Sequence, residues 1–187
     1  MLVMTVKQSL FALVALAFLF QLSYAQQQGG ILGQQAPEIE VDEWMHIPDG
    51  EKAPTKESLK GKVVYMYCYQ SWCPGCHSSG FPTLKKLSEE FKSDKEVEFI
   101  VVHTVFEGFS TNTPAKWKQV AERHGLKYLR FAHSGLSSSP SKVMSAYKTR
   151  GTPWTVIIGK DGKVKFNGFH IKPENATELI NQLKKDK

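Results

Sequence analysis

Two patterns of apolar and polar positions divide the chain into predicted strands and helices. Three runs are almost wholly apolar or aromatic, which is typical of strands buried on both faces of a sheet. They cover residues 63–69, 97–103 and 154–158. After the last of them, Asp161-Gly162 predicts a tight turn into a hairpin partner over 164–169, and the weak alternation of 38–45 predicts a short edge strand.

The segments between these strands carry the helical pattern. Apolar residues return every three or four positions at 81–91, 114–124 and 173–183, and a shorter helix is predicted over 142–148. Pro82 is expected to kink the first of these helices. Because strands and helices alternate along most of the chain, with an antiparallel hairpin last, we predict an α/β domain with a central mixed β-sheet flanked by α-helices.

The amino terminus has the pattern of a secretory signal peptide. Lys7 precedes an apolar segment at 10–22, and small residues lead to a cleavage site after Ala25. The apolar segment has 13 residues, too few to span a bilayer comfortably as a helix, although an uncleaved membrane tether is an alternative. The predicted organisation is a signal peptide at 1–25, a flexible tail at 26–35 and one domain at 36–187.

Composition and charge narrow the function classes. The 187 residues carry 24 Lys and Arg against 18 Asp and Glu, a formal charge of +6, and 41% of them are hydrophobic. That is ordinary globular composition, and the basic residues are spread out rather than massed on one element. We therefore expect an exported monomer, periplasmic or extracellular, that binds no nucleic acid and has no stable membrane insertion after signal cleavage.

The three cysteines are the most informative residues. Cys68, Cys73 and Cys76 lie within nine residues, so they cannot connect distant parts of the chain. Cys73-Pro74-Gly75-Cys76 followed by His77 matches two signatures, a redox dithiol and covalent attachment of c-type haem. Structural zinc normally requires four N or S ligands, and no second Cys pair supplies them. We expect Cys68, inside a predicted strand, to be a buried and unreactive thiol.

The motif stands between a buried strand and a predicted helix, which gives its residues distinct roles. A thiol at a helix amino terminus is ionised more readily, so Cys73 is the predicted nucleophile and Cys76, one turn inward, the resolving cysteine. Pro74 suits a first helical turn, and Gly75 adds little bulk near the sulfurs.

The order of motifs resembles the thioredoxin fold. Trp72-Cys73-Pro74-Gly75-Cys76 follows a buried strand, and Gly151-Thr152-Pro153 precedes the final hairpin and helix. Over 36–183, with a helical insertion at 117–125 and an N-terminal extension, the chain is similar to the exported TlpA/ResA-type thiol-disulfide oxidoreductases of the redoxin-like group. The resemblance implies a redox-active Cys73–Cys76 disulfide with no other cofactor and no metal. It also implies a cis Thr152–Pro153 peptide that binds substrate beside the dithiol.

Two departures from that family leave the proton relay open. Ser79 stands where relatives carry an acidic residue, with one extra residue before Pro82, and Tyr67 stands where thioredoxins have a buried Asp. His103 and Glu107, after the second predicted strand, are candidates for the missing group.

Neighbouring side chains are expected to modulate the dithiol. Trp72 is predicted to cover the pair on one side. If the helix begins at Cys73, His77 shares its face, and a charged imidazole there would favour the Cys73 thiolate.

Three function classes follow. The leading hypothesis is an enzyme that exchanges electrons with protein disulfides and dithiols, either as a reductase recharged by a membrane thiol electron donor, for example in cytochrome c maturation, or as an oxidase or isomerase. The second is an electron-transfer haem protein with His77 as axial ligand. The third is a module that holds a soft metal through Cys73, Cys76 and His77.

Overall fold

A computed structural model describes residues 30–186 of the chain. The predicted signal peptide at 1–25 lies outside the described residues. Within the described part, no helix is long and apolar enough to cross a membrane.

A six-stranded mixed sheet forms the centre of the fold, with the strand order β1-β4-β3-β2-β5-β6. Strands β2, β3 and β4 are parallel, whereas β1, β5 and β6 pair antiparallel with their neighbours. The strands are β1 Glu43–His46, β2 Val63–Tyr69, β3 Val97–Thr104, β4 Arg130–Ser134, β5 Trp154–Ile158 and β6 Val164–Gly168. The predicted mixed sheet is confirmed, and its hairpin lies at the edge opposite β1.

Strand β4 has no counterpart in the sequence prediction. It contributes five residues next to β3, and its last four are buried, including the polar His133 and Ser134. Because polar residues occupy buried positions in this strand, its sequence lacks the continuous apolar run that predicts an interior strand. The predicted edge strand at 38–45 is confirmed as an edge, shifted to Glu43–His46.

Helices cover both faces of the sheet. They are α1 Lys56–Leu59, α2 Phe81–Glu90, α3 Lys116–His124, α4 Lys142–Tyr147 and α5 Pro173–Lys185. Apolar residues of α2, α3 and α5 form one core with the odd-numbered positions of β2. On the opposite face of the sheet, Val143 and Tyr147 of α4 form the other core with the even-numbered positions of β2, which include Cys68. The uniformly buried β2 is thus packed on both faces, as its apolar run predicts.

Residues 31–35, which the sequence assigns to a flexible tail, contact the domain in the structure. Ile31 is buried in the second core, and the Gly33 N–H donates to the Val164 carbonyl at 2.8 Å. Gln35 pairs with Lys163 as an isolated bridge. Backbone pairing with the β5–β6 turn, together with one anchored apolar side chain, orders a segment whose composition predicts a loose tail.

Candidate active site

The dithiol lies where β2 delivers the chain into a helix. Pro74 and Gly75 are already helical, and Cys73 stands directly before them. The Cys76 backbone N–H points at the Cys73 Sγ, with 3.2 Å between the atoms. A backbone donor at a helix amino terminus favours negative charge on the atom it faces, so this position suits a nucleophilic thiolate.

The two sulfurs differ in burial. Cys73 is 5% exposed and Cys76 is fully buried. Burial, more than any other influence, raises the pKa of the Cys76 thiol. Cys73 is therefore the sulfur closer to solvent, while Cys76 stays a protonated thiol until a base reaches it.

A π-helical turn, Cys76–Gly80, joins the dithiol to α2. It accommodates the extra residue that precedes Pro82, because a π turn holds one more residue than an α turn. Pro82 follows this turn directly, within the first turn of α2, so the helical path from Pro74 to Glu90 is irregular at the place where the kink was expected. Ser79, at the position that is acidic in relatives, donates its hydroxyl to the Gly75 carbonyl at 2.9 Å.

Tyr67 lies directly beneath Cys76. Its hydroxyl donates to the Cys76 carbonyl at 3.2 Å, and burial raises the pKa of this phenol well above its ordinary value. A Cβ at Gly80 would overlap the Tyr67 hydroxyl, so glycine is the residue that admits the ring. Tyr67 is thus a neutral hydrogen-bond donor at physiological pH and not a substitute for an ionised Asp.

The Thr152–Pro153 loop faces the dithiol from the other side. Its peptide bond is cis, the conformation expected from the sequence. The Cys73 thiol donates to the Thr152 carbonyl at 3.5 Å. A Cβ at Gly75 would lie 3.3 Å from the Pro153 Cδ, so the glycine lets the helix start and the proline approach closely. The structure thus brings Cys73, Gly75, Thr152 and Pro153 together.

His77 is hydrogen-bonded through both nitrogens of its ring. One ring nitrogen, Nε2, donates to the Ser71 carbonyl at 2.8 Å, and the other, Nδ1, lies 2.9 Å from Nε2 of His124. Burial lowers the pKa of His124 to about 4, with the neighbouring His77 adding to the effect. Both nitrogens of His77 therefore have hydrogen-bond partners other than Cys73, and its influence on the Cys73 thiol stays a prediction.

A buried amide fixes the loop before the dithiol. The Asn112 Oδ1 accepts from the Ser71 backbone N–H at 3.0 Å and from the Ser71 hydroxyl at 2.7 Å. Its Nδ2 donates to the Gln70 side chain at 3.2 Å and to the Glu107 carbonyl at 3.1 Å. His103 completes this set, because Oδ1 can only accept and so receives the His103 Nε2–H, 3.2 Å away.

The candidate proton-relay residues do not reach the sulfurs. His103 is fully buried between the rings of Tyr69 and His133, and burial lowers its pKa to about 4. Glu107 contributes its carbonyl to Asn112. Among residues 30–186, the hydrogen bonds of the Cys73 sulfur go to Cys76 and Thr152, so neither predicted residue contacts it.

Sequence reasoning missed Ser71, Asn112 and His124. Each acts through a partner that lies 41 or more residues away in sequence or through a backbone atom. No spacing rule signals such contacts, since they depend on which strands lie side by side. The one available hint was the Asn112 position, shortly after β3 at the sheet edge that carries the dithiol.

Comparison with known proteins identifies the family to which the chain belongs. Residues 31–183 match the Redoxin family. The chain belongs to the Redoxin family. The match covers all six strands in full, together with the dithiol and the Thr152–Pro153 loop.

Curated relatives agree with the family. The chain is 27% identical over 146 residues to the thiol-disulfide oxidoreductase ResA of Bacillus thuringiensis (strain Al Hakam) and of Bacillus anthracis, covering 78% of this chain and 74% of each relative. This Redoxin-family chain is a thioredoxin-like oxidoreductase of the TlpA/ResA type.

Solved structures show the same fold. A thioredoxin-like superfamily protein aligns with a TM-score of 0.72 and 27% identity over 82% of this chain and 97% of that one. A thiol-disulfide isomerase from Corynebacterium glutamicum aligns with a TM-score of 0.72 and 25% identity, covering 83% of this chain and 98% of the isomerase. The thioredoxin-like α/β fold expected for this redoxin is confirmed.

The remaining hypotheses place different demands on the site. A soft-metal site would need Cys73, Cys76 and His77 to converge, but within residues 30–186 no three His, Cys, Asp or Glu side chains form a group that could hold a metal ion. Axial ligation of haem would need a free imidazole nitrogen on His77, and in this redoxin both nitrogens are hydrogen-bonded.

Trp72 lies at the rim of the site. Its side chain is 52% exposed, and its Nε1 lies close to Gly108 in the loop after β3. Phe169, 51% exposed, lies beside Gly151 at the start of the cis-proline loop. Apolar surface is therefore open on both sides of the dithiol.

Proposed function

We propose that this redoxin reduces disulfide bonds in proteins of the cell envelope through the Cys73–Cys76 dithiol. The observation that carries the proposal is the position of Cys73 at a helix start, with the Cys76 N–H aimed at its sulfur and the Thr152 carbonyl 3.5 Å away. Cys76 lies buried behind it, and its raised pKa keeps the second thiol in reserve until the first has reacted.

The reaction needs only the two sulfurs and the partner. The Cys73 thiolate attacks one sulfur of the partner disulfide, so a bond forms between them and the other partner sulfur leaves as a thiolate. Cys76 then loses its proton, which the first partner thiolate can take, and attacks the Cys73 sulfur. The Cys73–Cys76 bond forms as the mixed disulfide breaks, and the second partner sulfur leaves as a thiolate that takes a proton from solvent. The partner leaves as a dithiol with two electrons gained, and Cys73–Cys76 becomes the disulfide. No bound cofactor is required.

Two features of the site favour a polypeptide as the partner. The half-exposed Trp72 and Phe169 offer apolar surface on both sides of the reacting sulfur, and such patches are typical of interaction sites. The Thr152 backbone beside Cys73 can pair with an extended segment of the partner. A small thiol would leave these surfaces unused.

The cellular setting follows from the predicted signal peptide and the family. We place the mature protein, as a monomer, in the periplasm or outside the cell, where a membrane thiol donor returns the enzyme to its dithiol form. Maintaining the haem-attachment cysteines of c-type cytochromes in the reduced state is the candidate task within that setting.

Trapping the intermediate tests the reaction. In Cys76→Ser, the mixed disulfide between Cys73 and a disulfide-bonded protein substrate has no resolving thiol, so it should accumulate as a covalent adduct. The adduct is measured by non-reducing electrophoresis and mass spectrometry. Cys68→Ser serves as the matched control and should give no adduct. Adducts formed equally well in a Cys73→Ser protein would refute Cys73 as the nucleophile.

A further inference from the structure

A recess in the protein surface opens directly beside the dithiol. It has a volume of about 430 Å³ and lies between the loop that carries Trp72 and helix α3. Ser71, Trp72 and His77 form one wall, and Ser110 and Thr111 close one end. None of the described residues that line it is acidic. Trp72 belongs both to this recess and to the rim of the dithiol, so an occupant would lie next to Cys73.

Helix α3 supplies the other wall with positive charge. Lys116, Gln119, Val120 and Arg123 fall at i, i+3, i+4 and i+7 and therefore share one helix face. The buried Val120 anchors this face to the core, while Lys116 and Arg123 are exposed at the recess.

The positive charges of Lys116 and Arg123 are not neutralised within the described part of the chain. Within residues 30–186, neither Lys116 nor Arg123 forms an ion pair, whereas the nearby Lys127 pairs with Glu122 at 2.8 Å. A concave surface with two unneutralised cations and several hydroxyl and amide groups concentrates anions, because a cleft focuses the field of its charges. The chemistry of the recess is thus complementary to carboxylates.

We propose that this recess binds an acidic segment of the partner protein that flanks the disulfide presented to Cys73. The inference rests on the proposed function and names the class of partner for it. Lys116 and Arg123 are seven positions apart on the helix, a rise of about 10 Å. An extended chain covers that distance in about three residues. A short acidic stretch can therefore meet both cations while a neighbouring cysteine reaches the dithiol.

Exposed ion pairs set the size of the expected effect. Each such pair typically changes an equilibrium by a factor of about 1.5 to 5, and salt weakens it. Two pairs together should favour an acidic partner about three- to tenfold over a neutral one. Much of this preference should appear in the association rate, which charge complementarity accelerates at low salt.

Paired substrates test the proposal. Two disulfide-containing peptides are compared that differ only in the flanking segment, one with Asp and Glu and the other with Asn and Gln at the same positions. The rate of disulfide reduction is measured for each at low and high salt. Three proteins are used: the unaltered protein, Lys116→Gln/Arg123→Gln, and Lys118→Gln as the control, since exposed Lys118 lies on α3 outside the recess.

The expected result is a three- to tenfold preference for the acidic peptide by the unaltered protein and by Lys118→Gln. This preference should fall to about one in the double variant and at high salt. Matching melting curves establish that the double variant is folded. Equal rates for the two peptides, or a preference that survives in the double variant, would overturn the proposal and leave the proposed function intact.

Two further outcomes separate the inference from its premise. Oxidised glutathione is a small anionic disulfide. If its rate of reduction depends on Lys116 and Arg123 as strongly as that of the acidic peptide, the recess recognises only negative charge, and the assignment to a protein segment is overturned. If the unaltered protein reduces neither peptide, the proposed function fails, and the inference fails with it.

Discussion

The two ends of the central sheet use charged residues in opposite ways. At the end where β2, β3 and β4 begin, Glu98 accepts from Lys62 at 3.2 Å and also pairs with Arg130. On the same side, Lys160 pairs with Glu96 at 3.0 Å. At the end where these strands finish, Lys116 and Arg123 have no acidic partner among residues 30–186, and the ionisable groups near the dithiol are mainly thiols and imidazoles.

This difference separates stability from reactivity. At the end where β2, β3 and β4 begin, acidic and basic side chains neutralise one another within the protein, so little charge is left there for a partner. At the dithiol end, burial holds Cys76, His103 and His124 in their neutral forms, and hydrogen bonds rather than ion pairs fix the loops. Changes at the two ends should therefore affect different properties.

The largest effect is expected for the reacting sulfur. Cys73→Ser should reduce disulfide reduction to the uncatalysed background, because the nucleophile is lost. Cys68→Ala provides the matched control, since this cysteine is fully buried on the other face of β2 and its thiol takes no part in the exchange. Activity is measured on a disulfide peptide. A loss of activity in Cys68→Ala as complete as in Cys73→Ser, with the variant folded, would contradict the assignment.

Acid should destabilise the dithiol end through His103. Its folded pKa is about 4 against an ordinary 6.5, so between these values the unfolded chain binds more protons than the folded protein. The stability that depends on neutral His103 is therefore fully present above pH 6.5. It falls as the pH drops toward 4, by up to about 3 kcal/mol of unfolding free energy. Urea unfolding at several pH values measures this slope.

His103→Gln should reduce that slope without removing it, because His124, whose pKa burial also lowers to about 4, still titrates. The exposed His170→Gln is the control and should keep the wild-type slope. An unchanged slope in His103→Gln would show that the acid sensitivity arises elsewhere.

A steric change at the end of the π turn should have an intermediate effect. Gly80→Ala should destabilise the protein by about 1–3 kcal/mol, because the added methyl meets the Tyr67 ring. Tyr67→Leu removes the ring end, so the double variant should lose less than the sum of the two single changes. Thermal and urea unfolding measure all three proteins. Strict additivity would mean that the two residues do not compete for the same space.

The smallest effect is expected at the opposite end of the sheet. Glu98→Gln should cost about 1–2 kcal/mol of stability, because Lys62 and Arg130 lose a largely buried partner. The exposed pair of Lys86 and Glu174 gives the control, with Glu174→Gln costing at most about 0.5 kcal/mol. Both variants should retain the exchange rate of the unaltered protein. A slower exchange in Glu98→Gln would show that the two ends are coupled.

Local patterns were sufficient for much of the fold. The bounds of β2 and β5 follow from their apolar runs, and α5 begins at the predicted Pro173, because these elements are defined by residues adjacent in sequence. The same holds for the Cys73–Cys76 motif, which consists of four consecutive residues.

Features that depend on tertiary contacts were not accessible in this way. β4 was missed because a hydrophobic pattern does not detect buried polar residues such as His133 and Ser134. In the structure His133 is hydrogen-bonded to His103, and Ser134 to Ser141. The expected role of His77 rested on helical spacing, but its ring faces His124, 47 residues away. The close approach of Tyr67 to Gly80, at the end of the π turn, is likewise not revealed by spacing alone.

The most direct test is the reduction potential of the purified mature protein. The protein is equilibrated with glutathione or dithiothreitol buffers, free thiols are trapped and counted, and a visible spectrum is recorded on the same sample. We predict a reversible two-electron couple that disappears in Cys73→Ser, with no Soret band, at a potential more reducing than about −200 mV. A higher potential would favour oxidation or isomerisation, and a Soret band with neither Cys73 nor Cys76 titratable would contradict the dithiol mechanism.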